Sequence, residues 1–266
     1  MSEYLPLAQR LVRSAGALLR ERFHEARTID FKGDNRADLV TDADRASEAL
    51  ILELLQREVP AHAVLAEEGG AVGQGDFRWI VDPLDGTTNY AHGLPHFCVT
   101  VALEGPDGLL VGATYDPLRD ELFCAARGEG ATLNGKPLRA SPVGQVRAAV
   151  LATGFPYSLR GQPELSLGLF SRVVRESEGI RRMGSAALDF AYVAAGRLDG
   201  FFELGLKPWD TAAGALLVSE AGGQVRRIDG APYEPRFGDV VAAAPGIAAE
   251  LTSLCAGAVA GLGWSP

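Results

Sequence analysis

Apolar side chains recur every three or four residues along the start of the chain, which is the spacing of one helix face. The first stripe runs over residues 7–23 and predicts an amphipathic helix. A second follows Thr41, where TDADRASEALILELL places a hydroxyl at a helix start and the acid Asp44 three residues later. That spacing favours a capping box. The chain is therefore predicted to open with two helices, each burying one face.

Strand-like runs follow the second helix. AVLAEE and RWIVD are short apolar runs that each end in acidic residues. Further β-like runs and a hairpin turn at Asn134-Gly135 predict an antiparallel sheet. The segments concerned are FCVTVALE, LLVGATY, ELFCAA and TLNGKPL.

The pattern changes near residue 140. Strand-like runs now alternate with helical ones, which is typical of an α/β arrangement. The strand-like runs are AAVLAT, DGFFEL and DVVAAA, and the helical patterns cover residues 163–175, 184–195, 209–221 and 248–258. We therefore predict an α+β lobe over residues 1–140 and an α/β lobe over residues 141–266.

Composition and charge narrow the class of protein. Of the 266 residues, 47% are hydrophobic and 22% are charged, which is typical of a compact globular protein. The formal net charge is -9 and no long basic run occurs, so we expect no nucleic-acid partner. No segment has the roughly 20 apolar residues of a membrane span, and charged residues interrupt the N-terminus. We therefore expect a cytoplasmic protein without a membrane partner.

One segment matches part of a nucleotide-binding loop. GATLNGK, at residues 130–136, satisfies the first seven positions of the P-loop pattern, but Pro137 stands where that loop needs Ser or Thr. The Asn-Gly pair inside β-like sequence indicates a hairpin turn instead of a helix start. We therefore favour a hairpin at this position.

Acidic residues lie at the edges of several predicted elements. Asp82 and Asp85 follow the β-like run at 79–81, where Asp-Pro and Asp-Gly predict that the strand ends in a turn. Carboxylates held close together repel each other and lose hydration, so such a pair requires a cation, a proton or a structural cap. The other acids in such positions are Asp44, Glu67 with Glu68, and Asp210.

Each of these acids also has an ordinary structural interpretation. Asp44 can close a capping box with Thr41, Asp210 can cap the start of a helix, and the others can occupy solvated turns. These interpretations do not explain why several strand-terminal acids accompany the segment at 86–88, Gly-Thr-Thr. An oxygen-rich pocket beside backbone N–H groups would suit Mg²⁺ and a phosphate group.

Several motifs together resemble the inositol monophosphatase family of Mg²⁺-dependent, lithium-sensitive phosphatases. WIVDPLDGTTNY carries the core of the resemblance, with DLVTDAD and EEGG upstream and WDTAAGALLVSEAGG downstream. RRMGSAALDFAYVAAGRLDGFFELGLKPWD is similar to bacterial members, so the resemblance spans nearly the whole chain. It implies an α+β fold, the layered αβαβα sandwich of the inositol monophosphatase and fructose-1,6-bisphosphatase superfamily. It also implies a homodimer.

The resemblance implies a metal site with two or three Mg²⁺ ions. The carboxylates of four acids and one backbone carbonyl would hold them. These ligands are Glu67, Asp82, Asp85 and Asp210, with the carbonyl of Leu84.

The resemblance also implies catalytic and substrate-binding residues. Asp44 and Thr87 match the pair that activates the attacking water, and Glu67 and Lys32 are further catalytic residues. The implied substrate contacts are Gly86, Thr87, Asp85, Gly184, Ser185, Ala186, Glu203 and Asp210.

The implied reaction is hydrolysis of inositol monophosphate to inositol and phosphate by metal-activated water. Because a fold does not determine a substrate, histidinol phosphate, fructose 1,6-bisphosphate and a nucleotide 3'-phosphate stay open as alternatives. A regulatory binding protein that uses the same fold on a macromolecular partner is the alternative of another class.

Overall fold

The computed structural model describes residues 2–25, 29–31, 39–156 and 163–264. Within these ranges the α-helices are α1 (Leu5–Arg22), α2 (Asp42–Glu58), α3 (Thr87–Ala91), α4 (Pro163–Val174), α5 (Ala186–Ala194), α6 (Pro208–Glu220) and α7 (Ala248–Gly261). The first strands are β1 (Ile29–Phe31), β2 (Leu39–Thr41), β3 (Ala63–Ala66), β4 (Gly70–Val72), β5 (Arg78–Asp85), β6 (Cys98–Gly105), β7 (Gly108–Asp116) and β8 (Glu121–Ala126). The remaining strands are β9 (Gly130–Leu133), β10 (Lys136–Pro137), β11 (Val150–Thr153), β12 (Gly179–Arg181), β13 (Gly200–Glu203), β14 (Gln224–Arg227) and β15 (Val240–Ala243).

These elements stack as alternating helical and sheet layers. Helices α1 and α2 pack on one face of a large sheet, α5 and α6 lie between the two main sheets, and α4 and α7 cover the outer face of the smaller sheet. Adjacent residues of β13 show the alternation, because Phe201 packs with the middle helices and Phe202 packs with α7. The predicted αβαβα sandwich and the α+β class are confirmed.

The large sheet has eight strands in the order β10-β9-β8-β7-β6-β5-β3-β4. All neighbours are antiparallel except β3 and β5, which run parallel. The predicted hairpin at Asn134-Gly135 is confirmed, since β9 and β10 pair with Leu133 opposite Lys136. The partial P-loop match is therefore part of a β-hairpin.

Strand β5 continues further than the sequence pattern predicts. The Asp-Pro and Asp-Gly pairs predict that the strand ends before both acids, but it runs through Asp85, and its pairing with β6 shifts between Asp82 and Asp85. Pro83 has no N–H to donate to a strand ladder, so an irregularity here avoids a missing hydrogen bond. Both acids are thus fixed by a sheet and not by a loose turn.

The smaller sheet has five strands in the order β12-β11-β13-β15-β14. The pattern predicts its three central strands and misses both edge strands, β12 and β14, as it misses β4 at the edge of the large sheet. Edge strands are short and face water on one side, so they lack a continuous apolar run. The last strand of the large sheet ends at Pro137 and the smaller sheet begins at Val150. A division into lobes near residue 140 stays a prediction.

The two middle helices approach each other closely at a glycine. A Cβ added at Gly214 on α6 would overlap the side chain of Phe190 on α5. Phe190 is fully buried and lies edge-on to Phe201 of the smaller sheet, with 5.0 Å between ring centroids. The spacing of the middle layer therefore depends on the missing side chain at Gly214.

We expect Gly214→Ala to lower the free energy of unfolding by about 1 to 3 kcal/mol, because overpacking outweighs the better helix propensity of alanine. Gly257→Ala is the matched control, since Gly257 is an exposed helical glycine with open space around it. That variant should be neutral or slightly more stable. Chemical denaturation measures both, and a Gly214→Ala protein as stable as Gly257→Ala would contradict this account of the packing.

Candidate active site

Acids from separate segments converge beside the end of β5. Asp82 and Asp85 lie on β5, and Asp210 lies in the first turn of α6. Carboxylate oxygens of these three residues lie within 4.8 Å of one another. Glu67 follows β3, the parallel neighbour of β5, and its N–H donates to the carbonyl of Val81 at 3.2 Å. The four predicted carboxylate ligands therefore belong to one region of the molecule.

The three clustered aspartates each use one carboxylate oxygen to anchor the surrounding backbone. Asp82 Oδ1 accepts from the N–H of Leu84 at 3.0 Å, and Asp210 Oδ2 accepts from that of Lys207 at 2.6 Å. Asp85 Oδ2 accepts from Ser185 Oγ at 2.6 Å and from the N–H of Ala187 at 2.7 Å. These bonds hold the carboxylates together despite their repulsion.

The cluster is electrostatically unfavourable without a cation. Burial raises the pKa of Asp82 well above its usual range, repulsion from Glu67, Asp85 and Asp210 raises it further, and a hydrogen bond with the Glu67 carboxyl adds to the shift. Two carboxyl groups can share such a bond only if one of them carries a proton. Burial and repulsion from Asp85 also raise the pKa of Asp210. The hard oxygen donors of this cluster fit Mg²⁺, which would replace these protons.

A second constellation joins α2 to the start of α3. Thr87 Oγ1 lies 2.9 Å from Asp44 Oδ1 and 3.0 Å from the carbonyl oxygen of Leu84. Asp44 Oδ2 accepts from the N–H and the hydroxyl of Thr41, which confirms the predicted capping box. Burial raises the pKa of Asp44 to about 7, although the hydrogen bonds from Thr41 and Thr87 act to lower it. Asp44 is thus both a helix cap and a side chain of the site.

Gly86 allows the chain to turn from β5 into α3. Its φ is 93°, and a Cβ there would lie 3.0 Å from the carbonyl oxygen of His96 and 3.3 Å from that of Gly184. Only glycine accommodates both the left-handed conformation and this close approach. Asn89, which sequence reasoning missed, donates to the carbonyls of His96 and Met183 and so ties α3 to the segment before α5.

The acidic cluster, Gly86 and Thr87 line one cavity of about 270 Å³. The predicted contacts Gly86, Thr87, Gly184, Ser185, Ala186 and Glu203 all border it, together with the metal-ligand candidates. Glu203 ends β13 and lies directly over Gly154, where a Cβ would overlap its carboxylate. Burial raises the pKa of Glu203 to about 8. Lys32, the remaining predicted site residue, lies outside the described residues.

Asp189 is an acid of this cavity that sequence reasoning missed. It lies one helical turn after Ser185, is 1% exposed, and neither carboxylate oxygen has a hydrogen-bond partner among the described residues. Burial raises its pKa well above the usual range, and repulsion from Glu203 and Asp85 adds to the shift. A single acid within the otherwise apolar helical run AALDFAYVAA is the sequence signal that could have identified it.

A model of the inositol monophosphatase family matches residues 1–259. The chain belongs to the inositol monophosphatase family. Nus factor SuhB of Escherichia coli K12 is 42% identical over 248 residues, covering 92% of each chain. The inositol monophosphatase of Anabaena has a TM-score of 0.86 at 40% identity over 95% of both chains. SaIMPase-II with inositol monophosphate bound has a TM-score of 0.80 at 27% identity, covering 95% of this chain and 94% of that one.

Within the described ranges, no helix is both long and apolar enough to cross a membrane.

We expect Asp189→Asn to raise the midpoint of thermal unfolding in EDTA, because it removes a buried carboxyl group without a partner. The folded acid holds its proton to a higher pH than the unfolded one. Asp189 therefore lowers the free energy of unfolding only above about pH 4. The rise in midpoint caused by Asp189→Asn should grow from pH 4 to pH 7.

Asp116→Asn is the matched control for this variant. Asp116 is equally buried, but it accepts from the N–H groups of Leu118 and Arg119 and from the Arg119 guanidinium. Its replacement should lower the midpoint. An Asp189→Asn protein that melts as early as Asp116→Asn would show that Asp189 has a stabilising partner.

Proposed function

We propose that this protein is a Mg²⁺-dependent phosphomonoesterase that hydrolyses inositol monophosphate to inositol and phosphate. The observation that carries the proposal is the meeting of Asp82, Asp85 and Asp210 within 4.8 Å in the cavity that Thr87 also borders, with the Thr87 hydroxyl hydrogen-bonded to Asp44. The inositol monophosphate bound to the related SaIMPase-II supports the choice of substrate.

Glu67, Asp82, Asp85 and Asp210 would hold two or three Mg²⁺ ions, together with the Leu84 carbonyl. When bound, Mg²⁺ lowers the pKa of water and neutralises negative charge on phosphate and leaving-group oxygens. The chain itself supplies the anchoring of these ligands by backbone N–H groups, which keeps their positions fixed during turnover.

Thr87 and Asp44 are arranged to take up a proton from a water molecule in the cavity. The Thr87 hydroxyl has one proton, and two acceptor atoms lie within reach of it, Asp44 Oδ1 and the carbonyl oxygen of Leu84. It can therefore donate to Asp44 Oδ1 while its own oxygen accepts a hydrogen bond from water. In the metal-free protein, burial raises the pKa of Asp44 to about 7, so this carboxyl group is suited to accept a proton. The two bonds from Thr41 fix the orientation of this carboxyl group.

The end of the cavity around Glu203 suits an alcohol rich in hydroxyl groups. Glu203 and Asp189 are neighbouring acids there, and the guanidinium of Arg182 borders the same space and opposes their repulsion. A carboxyl group can accept a hydrogen bond from a hydroxyl or, when protonated, donate one to it. An apolar alcohol would leave both carboxyl groups without such a partner. This favours inositol over leaving groups with fewer hydroxyls.

A phosphate-release panel tests the proposal. We expect Mg²⁺-dependent release, with the highest kcat/KM on inositol 1-phosphate among that substrate, histidinol phosphate, fructose 1,6-bisphosphate and a nucleotide 3'-phosphate. Asp85→Asn should lower kcat by at least about 100-fold with the fold retained by circular dichroism. Undiminished release in EDTA would contradict the metal dependence, and a higher kcat/KM on another substrate would contradict the assignment to inositol.

Thr87→Ala tests the proton relay. We expect kcat to fall by about 10² to 10⁴-fold without rescue by additional Mg²⁺, because the hydroxyl is lost and no metal ligand is removed. Thr87→Ser keeps the hydroxyl and should retain most of the activity in the same steady-state assay. Recovery of Thr87→Ala at high Mg²⁺ would show that Thr87 acts mainly on metal binding.

The name Nus factor, carried by the Escherichia coli relative, favours a regulatory role as a second candidate function. We propose it only as a role that accompanies catalysis on the same fold, because the acids and Thr87 are positioned for chemistry. Asp85→Asn separates the regulatory role from catalysis. In a strain that carries only this variant, the regulatory role would survive whereas phosphatase activity would be lost. Lithium sensitivity, a homodimer and a cytoplasmic location are further proposals from family membership.

A further inference from the structure

One face of α2 contacts three separate parts of the site. Asp44, Ser47 and Glu48 are spaced by three and four residues, so they project from the same side of the helix. All three are buried. Asp44 reaches Thr87, whereas Ser47 and Glu48 reach segments that carry metal-ligand candidates.

Ser47 contacts the irregular part of β5. Its hydroxyl donates to the carbonyl oxygen of Pro83 at 2.7 Å, and the bond is fully buried. Pro83 lies where the pairing with β6 shifts, between Asp82 and Asp85. The helix therefore supplies a hydrogen bond at the position where the strand ladder is interrupted.

Glu48 contacts the turn that carries Glu67. Glu48 Oε2 accepts from the N–H of Glu68 at 2.9 Å, while the N–H of Glu67 donates to Val81 of β5 at 3.2 Å. The backbone on both sides of the Glu67 side chain is thus fixed, once by the sheet and once by α2. A Cβ at Gly69 would lie 2.9 Å from Glu48 Oε1, so glycine there leaves room for this contact.

Glu67 depends on this support more than the other acids do. Asp82 and Asp85 are held within β5, and Asp210 is held in the first turn of α6. Glu67 lies just beyond the end of β3, in the turn before β4, and is half-buried. Residues behind metal ligands commonly change metal affinity by about 10 to 100-fold when they are removed.

We propose that Glu48 is a positioning residue for the metal site, which holds the Glu67 turn at the distance from β5 that cation binding requires. The inference rests on the proposed function. Glu48 itself would contact neither substrate nor metal. The bond to the N–H of Glu68 needs only an acceptor oxygen, so Glu48→Gln should preserve it and Glu48→Ala should abolish it.

The experiment is a Mg²⁺ titration of the unfolding midpoint of the full chain, with Na⁺ at matched ionic strength as the reference. In the wild type the midpoint should stay constant at Mg²⁺ concentrations below the Kd and rise with the logarithm of the concentration above it. In Glu48→Ala the Mg²⁺ concentration at which this rise begins should be about tenfold higher or more. Gly69→Ala should shift it in the same direction, because its Cβ displaces Glu48.

Two matched variants separate positioning from general stability. Glu48→Gln should titrate like the wild type, and so should Glu53→Ala, which removes an exposed acid from the same helix. A Glu48→Ala protein that melts earlier in EDTA, but whose midpoint begins to rise at the wild-type Mg²⁺ concentration, would show a purely structural role and overturn the proposal. A Glu48→Gln protein that needs as much Mg²⁺ as Glu48→Ala before its midpoint rises would overturn the acceptor role. A wild type without any Mg²⁺ shift would instead contradict the metal site of the proposed function.

Discussion

The site depends on holding several carboxyl groups closer together than their charges favour. Burial raises the pKa values of Asp82, Asp85 and Asp210 in the metal-free protein, and repulsion adds to the shift of Asp82 and Asp210, so part of the folding free energy is used to keep them in place. A strand ladder, a helix start and short hydrogen bonds to backbone N–H groups oppose this repulsion. The packed layers around the cavity are therefore a condition for the metal site of the proposed function.

Each of these acids can have a structural and a chemical role at once, because one carboxylate oxygen can cap a helix while the other faces the site. In Asp44 one oxygen completes the capping box of α2 while the other faces Thr87. Asp210 likewise binds the N–H of Lys207 at the start of α6 and still contributes to the acidic cluster. Helix starts suit this double use, since their unpaired N–H groups fix one oxygen and favour negative charge. An acid that caps a helix at the edge of a cavity is thus compatible with metal binding.

Sequence pattern alone predicts the central elements well, because buried helices and strands have regular apolar spacing. It fails where long-range pairing decides the structure. Strands β4, β12 and β14 lie at sheet edges and lack a strong apolar signature, and β5 continues past Pro83 because β6 pairs again at Asp85. Among site residues, motif resemblance implies the acids of the cluster, whereas Ser47 and Glu48 become visible only once helices and strands are placed together. Their roles rest on contacts that no local motif encodes.

The position of the site between the two main sheets explains why both halves of the chain are needed. Asp82 and Asp85 come from the large sheet, Glu203 comes from the end of β13 in the smaller one, and Asp210 starts a helix of the middle layer. The start of α5 binds Asp85 through Ser185 and Ala187, so this helix links the acidic cluster to the end of the cavity near Glu203. Under the proposed function, the close packing of α5 on α6 would set the distance between the metal site and the end of the cavity that receives the alcohol.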